Sequence, residues 1–156
     1  MSLFEKDPVH IYIGADHAAY EAKGKLVEFL KGEGYGVTDL GTFSEASVDY
    51  PDVAREVGEK VLDNEGSFGV LICGTGLGMN MAVNKLRGIR AAQCKDVEDA
   101  EMARKHNNAN VLTMGARTMS EQMHRDCALK FFTTSFEGDM EGFERHKRRV
   151  EKIDLK

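Results

Sequence analysis

The chain has 156 residues, 42% of them hydrophobic and 30% charged, a balance that fits one globular domain with an enclosed core and excludes a disordered chain. A net charge of −5 gives no support to a nucleic-acid partner, although a small anionic ligand needs only a few local cations. Apolar runs such as Val70-Leu71-Ile72-Cys73 are far too short to span a bilayer, and residues 1–7 have neither signal-peptide nor transit-peptide order, so a cytoplasmic protein with no membrane partner is expected.

In chain order, short apolar runs alternate with helical periodicity, the pattern of βαβ units and a parallel sheet. Residues 9–13 read as a first strand stopped by Gly14. From Ala18 to Lys31, Ala19, Ala22, Leu26, Phe29 and Leu30 mark one helix face, ended by Gly32 and Gly34. Residues 35–38 form a weaker strand and 41–50 a polar loop, and Pro51 opens a helix carrying Val53, Val57 and Val61. Phe68 to Cys73 is the clearest strand, apolar throughout as a central parallel strand should be. Gly74-Thr75-Gly76-Leu77-Gly78 follows it, then a helix to about Lys85. Gly88 to Cys94 reads as a strand, Val97 to Lys105 as a helix capped by Asp96 and Asp99, and Val111 to Met114 as a fifth strand. Thr118 and Glu121 suggest a capping box for a helix with Met119, Met123, Cys127 and Phe131 in line, and a last helix covers 141–153. The expected architecture is one α/β domain over 9–153, three αβα layers in a Rossmann-like arrangement around a five-stranded parallel sheet. Its ligand site is expected at the carboxyl ends of the strands.

The glycine loop at 74–78 lets backbone N–H groups approach a phosphate, a dinucleotide or an oxyanion, or it serves only a tight strand-to-helix turn. It departs from the dinucleotide fingerprint, which wants a glycine where this chain has Met79. Cys73 closes the strand before it; a thiol at a helix start is acidified and suited to proton abstraction, while many cysteines are simply buried hydrophobes. Asp16 and His17 occupy another strand end, where Asp16 also suits a cap. His106 and Asn107 end a helix, a place that favours a cation on electrostatic grounds alone. Arg117 follows the fifth strand. Arg145 and Arg149, four apart, could grip a phosphate together, or join Glu141, Glu144 and Glu151 in a salt-bridged surface. Cys73, Cys94 and Cys127 form no CxxC pair, and His124 with Cys127 on one helix face supplies too few ligands for a metal site.

Taken together, Gly14-Ala15-Asp16-His17, Asp49-Tyr50-Pro51, Ile72 to Gly78, Asn84-Lys85, Gly88 to Ala91, His106-Asn107, Asn110-Val111, Gly115-Ala116-Arg117 and Arg145-His146 with Arg149 resemble the type B ribose-5-phosphate isomerases, a family that includes galactose-6-phosphate isomerase subunits. The resemblance runs from about Ile11 to Val150. It implies an aldose–ketose isomerase interconverting ribose 5-phosphate and ribulose 5-phosphate through a cis-enediolate, with Cys73 as the base. One branch of the family uses an acidic residue later in the loop; this loop has none, so the chain resembles the cysteine branch. The resemblance further implies that Gly74, Thr75, Gly76, Leu77 and Gly78 cradle the oxyanion and that His106 opens the sugar ring. Asn107, Asp16 and His17 would contact the substrate, and Arg117, Arg145 and Arg149 would hold its phosphate. It implies no cofactor and no metal, a homodimer with a shared site, in some members paired into a tetramer, and a partner subunit that supplies segment 106–117. A hexose-6-phosphate isomerase and a non-catalytic phosphosugar-binding regulator are the alternatives.

Overall fold

A computed structural model describes residues 9–155. Five parallel strands, β1 (His10–Ala15), β2 (Gly36–Asp39), β3 (Phe68–Cys73), β4 (Ala91–Gln93) and β5 (Val111–Gly115), form one sheet in the order β2-β1-β3-β5-β4. Helices α1 (Tyr20–Gly32), α2 (Tyr50–Asp63), α3 (Leu77–Val83), α4 (Val97–Asn107), α5 (Glu121–Thr133) and α6 (Glu144–Ile153) link and cover them.

Alternate side chains of each central strand enter different cores, as a pleated strand covered on both faces requires. Ile11, Ile13, Val70 and Ile72 pack with Leu26 and Leu30 of α1 and Cys127 and Phe131 of α5. Leu71 and Cys73 pack on the other face with Val57 and Val61 of α2 and Met79 and Val83 of α3. The sheet is therefore the middle of three layers. The chain leaves β1 toward β2 and leaves β3 in the opposite direction, which opens a crevice between the carboxyl ends of β1 and β3.

Several local expectations are corrected. Gly14 does not stop the first strand: β1 runs on to Ala15, and a Cβ on Gly14 would stand 2.7 Å from Val53 and 2.9 Å from Val57. That glycine lets α2 approach the sheet. β4 is only three residues long; just before it the Arg90 N–H donates to Asn110 Oδ1 at 2.8 Å, while the Arg90 carbonyl accepts the Asn110 N–H at 3.0 Å. The cap of α5 is Ser120, whose Oγ accepts the Met123 N–H at 3.1 Å, and not Thr118. Asp96 and Asp99 do cap α4, and reciprocally: Asp96 takes the Asp99 N–H at 2.9 Å and Asp99 the Lys95 N–H at 3.1 Å. The last helix starts at Glu144, later than the periodicity suggests, after a 3-10 turn at Glu137–Asp139.

The loop after β2 is held from within by Lys23 of α1, which is only 1% exposed. Its ammonium donates to both Asp39 carboxylate oxygens, at 2.7 and 2.8 Å, and to the Thr42 carbonyl at 2.6 Å. Three acceptors meet three N–H donors, so the buried charge is fully satisfied.

Candidate active site

The carboxyl end of β3 is tied on both sides. The Asp16 N–H donates to the Ile72 carbonyl at 3.2 Å, the Ala116 N–H to the Cys73 carbonyl at 2.8 Å and the Arg117 N–H to the Gly74 carbonyl at 3.0 Å. Cys73 is 5% exposed, and its Sγ accepts the Gly76 N–H at 3.1 Å. Thr75 is exposed, and its hydroxyl accepts the Leu77 N–H at 3.3 Å. The N–H groups of Thr75 and Gly78 have no hydrogen-bond partner among the described residues, which leaves donors for an external oxyanion.

Each glycine of the loop has its own reason. A Cβ on Gly74 would stand 3.1 Å from Arg117 Nη1, so the guanidinium lies across a bare backbone. Gly76 has φ +82°, and a Cβ there would meet the Met114 carbonyl carbon at 2.9 Å. A Cβ on Gly78 would stand 2.8 Å from the Tyr50 ring, which rests on the first turn of α3. On the β1 side, Asp16 Oδ1 accepts the Ala19 N–H at 3.2 Å, and His17 Nδ1 accepts the Val48 N–H at 3.4 Å. Asp16 thus caps a turn and lies at the same sheet end as Cys73. Asp16, His17, Cys73, residues 74–78 and Arg117 are together.

His106, Asn107, Arg145 and Arg149 are elsewhere. Helix α4 runs back to the amino end of β5, so His106 and Asn107 are at the opposite edge of the sheet from Cys73, which pairs with Gly115. The length of β5 alone separates them by roughly 13 Å. The α4–β5 turn is fixed by Arg104, which lies over the Phe68 and Phe131 rings and donates to Asn108 Oδ1 at 2.9 Å and the Ala109 carbonyl at 2.5 Å. Burial, then the nearby Arg90 charge, lowers its pKa to about 10. Segment 106–117 spans the sheet from its amino to its carboxyl end, and Arg117 lies against the Gly74 of its own chain.

At the amino end, the His106 and His146 rings stack with centroids 4.4 Å apart and planes 5° apart, and Phe143 continues the column. His146 is buried, and its Nε2 has no hydrogen-bond partner among the described residues. Burial first, then Arg145, His106 and Arg149, holds its imidazole below the ordinary range. His106 Nε2 is 3.9 Å from Glu137. His106, Glu137 and His146 bring ligand atoms within 4.8 Å of one another, a grouping seen at metals. The rings are nearly parallel, however, so their in-plane lone pairs do not converge, and Arg145 and Arg149 stand beside them; the setting suits an anion better than a cation. Among the described residues Arg117, Arg145 and Arg149 form no ion pair, so the salt-bridged surface on α6 is not what forms; Glu144 instead accepts the Gly142 N–H.

Sequence reasoning gave Tyr50 no role of its own and counted His146 only as added positive charge beside Arg145 and Arg149. The signal for His146 is its spacing: with Val150 four positions on, it marks the inward stripe of α6. A cavity of 530 Å³ lies at the amino end of the sheet beside Asn107, away from the cysteine loop.

The chain is thus a doubly wound αβα domain with a thiol on a glycine loop at the switch of strand order and a separate basic cluster at the other end of the sheet. The family model for Ribose/Galactose Isomerase matches residues 11–153. The chain belongs to that family. It is 40% identical over 145 residues to the ribose-5-P isomerase B of Listeria innocua, covering 93% of each chain, and 37% identical over 143 residues to the ribose-5-phosphate isomerase B of Escherichia coli, covering 92% of this chain and 93% of that one. A crystal structure of a ribose 5-phosphate isomerase from Thermotoga maritima superposes with a TM-score of 0.88 at 48% identity, over 94% of this chain and 97% of the other.

Proposed function

We propose that this member of an isomerase family interconverts ribose 5-phosphate and ribulose 5-phosphate, at a site built from the cysteine loop of one subunit and the α4–α6 cluster of a second copy. The observation that carries this reading is the division of the site: one chain holds the thiol cradle and the His106–arginine cluster at opposite ends of its sheet. A two-fold dimer brings each end to the other's complement twice over.

In that site Arg117 from one side and Arg145 and Arg149 from the other hold the phosphate, far from the reacting carbons, and so orient them. His106 transfers the proton that opens the furanose ring, and Asn107 with Asp16 and His17 holds sugar oxygens. The Cys73 thiolate removes the proton from C2 and returns it to C1. The enediolate oxygen is held by the free N–H groups of the loop and the Thr75 hydroxyl; one such donor is typically worth about 2.7–4 kcal/mol. As the C1=C2 bond of the enediolate gives its electron pair to the new C1–H bond, the O2 hydroxyl gives up its proton to become the C2 carbonyl and O1 takes one up, so the reaction is redox-neutral overall.

The test is isomerisation of ribose 5-phosphate in D2O, with allose 6-phosphate measured beside it. We expect ketose carrying solvent deuterium, and a Cys73→Ala variant that binds substrate normally but turns it over at least about 1000-fold more slowly. Near-normal turnover by that variant would overturn the assignment of the base.

A further inference from the structure

We infer that Gln93, the last residue of edge strand β4, is a positioning residue that fixes the Thr75–Gly76 peptide group so that its N–H, and not its carbonyl, faces the Cys73 sulfur. Gln93 Nε2 donates to the Thr75 carbonyl at 2.8 Å, and the Gly76 N–H of the same peptide group donates to Cys73 Sγ at 3.1 Å. A trans peptide is planar, with its C=O and N–H pointing in opposite directions. Holding the oxygen toward β4 therefore aims the hydrogen at the sulfur.

This restraint is needed because the chain at this point is otherwise free to turn. Gly76 has φ +82°, and glycine accepts either sign of φ, so the torsion at Gly76 does not by itself fix the plane between Thr75 and Gly76. Helix bonding contributes nothing, since this peptide group precedes α3 and its carbonyl accepts from no described backbone donor. Its oxygen lies close to β5, where a Cβ on Gly115 would approach it to 2.9 Å. Without the Gln93 amide that carbonyl would lose its partner in a crowded place. Turned over, it would present a partial negative charge to a sulfur that must carry a full one. The amide orientation follows from chemistry: only the NH2 end of Gln93 can bond a carbonyl.

Gln93 is itself held. It is in register with Thr113 on β5, whose carbonyl accepts the Cys94 N–H at 3.0 Å and whose hydroxyl takes Asn80 Nδ2 at 3.1 Å. The edge strand is thus locked to β5, and Asn80 Nδ2 ties it to α3 by donating to the Ala91 carbonyl at 3.1 Å. Its side chain bonds the Thr75 carbonyl and not the sulfur, so it acts through the peptide it orients.

The inference rests on Cys73 working as a thiolate in the proposed reaction, so its test reads the thiol independently of turnover. Gln93→Met keeps the shape and removes the donor; Gln93→Glu replaces the donor by a negative acceptor. Alkylation of Cys73 by iodoacetamide is followed by mass spectrometry at about pH 7 and about pH 10. Cys94 and Cys127 stay silent, because burial pushes both thiols up to about 12. We expect alkylation near pH 7 to slow about three- to tenfold in the Met variant and further in the Glu variant, with rates equal to the parent near pH 10. The isomerase kcat should fall in parallel, with KM for ribose 5-phosphate held within about twofold. Alkylation unchanged in both variants, or slowed equally at both pH values, would overturn the inference. Slower alkylation with unchanged kcat would uphold the positioning by Gln93 and refute Cys73 as the base.

Discussion

Gly76 shows how much of the loop is decided by single residues. Its left-handed φ and its contact with the Met114 backbone each exclude a side chain. Gly76→Ala should lower stability by about 1–3 kcal/mol in urea unfolding, and should cut turnover by more than about 100-fold because the displaced N–H serves the sulfur. A variant with parental turnover would show that the loop tolerates a different path. The sequence made the three glycines visible as a cradle but assigned them one common purpose. In the structure one makes room for Arg117, one for β5 and one for Tyr50, and these are long-range contacts that spacing along the chain does not encode.

Helix α6 turns His146 inward and leaves Arg145 and Arg149 exposed. His146 is stacked and buried, with Arg145, Arg149 and His106 disfavouring its protonation and Glu137 alone favouring it. A histidine harder to protonate folded than unfolded binds fewer protons in the native state. Stability is then complete above the unfolded value of about 6.5 and declines as pH falls through it toward the lowered folded value. The melting temperature should therefore drop between about pH 7.5 and about pH 5.5, and His146→Phe, which keeps a stacked ring without a titrating group, should lessen that drop. An unchanged slope would assign the pH dependence to other groups. Helix periodicity made α6 legible, but its start was not, because Gly142, at φ +87°, and the 3-10 turn interrupt the pattern. The short β4 was likewise hidden: Gly88 to Cys94 has strand-like composition, and the Asn110 side chain that takes the Arg90 N–H is distant in sequence.

For the molecule as a whole, the five parallel strands and the helix-covered sheet were readable from periodicity and apolar runs, while their order across the sheet was not. The split of the site was not readable from the residues themselves, since sequence order says nothing of which sheet end a helix terminus reaches until the topology is known. The proposed dimer makes a quantitative prediction. Cys73→Ala and His106→Asn should each be inactive, yet mixing and refolding them in equal amounts should restore about a quarter of parental activity, because half the dimers are hybrids with one intact site of two. A site contained within one chain would give no recovery.

The lysine enclosed between α1 and the loop after β2 has a chemical corollary. Its three N–H bonds are occupied and its nitrogen is shielded from solvent, so amine-acylating reagents that decorate the outer lysines have no route to position 23 while that corner stays closed. Modification there becomes a clock for the opening of this corner alone, recording transient exposure of the segment that leads into Tyr50 even when the rest of the sheet remains intact.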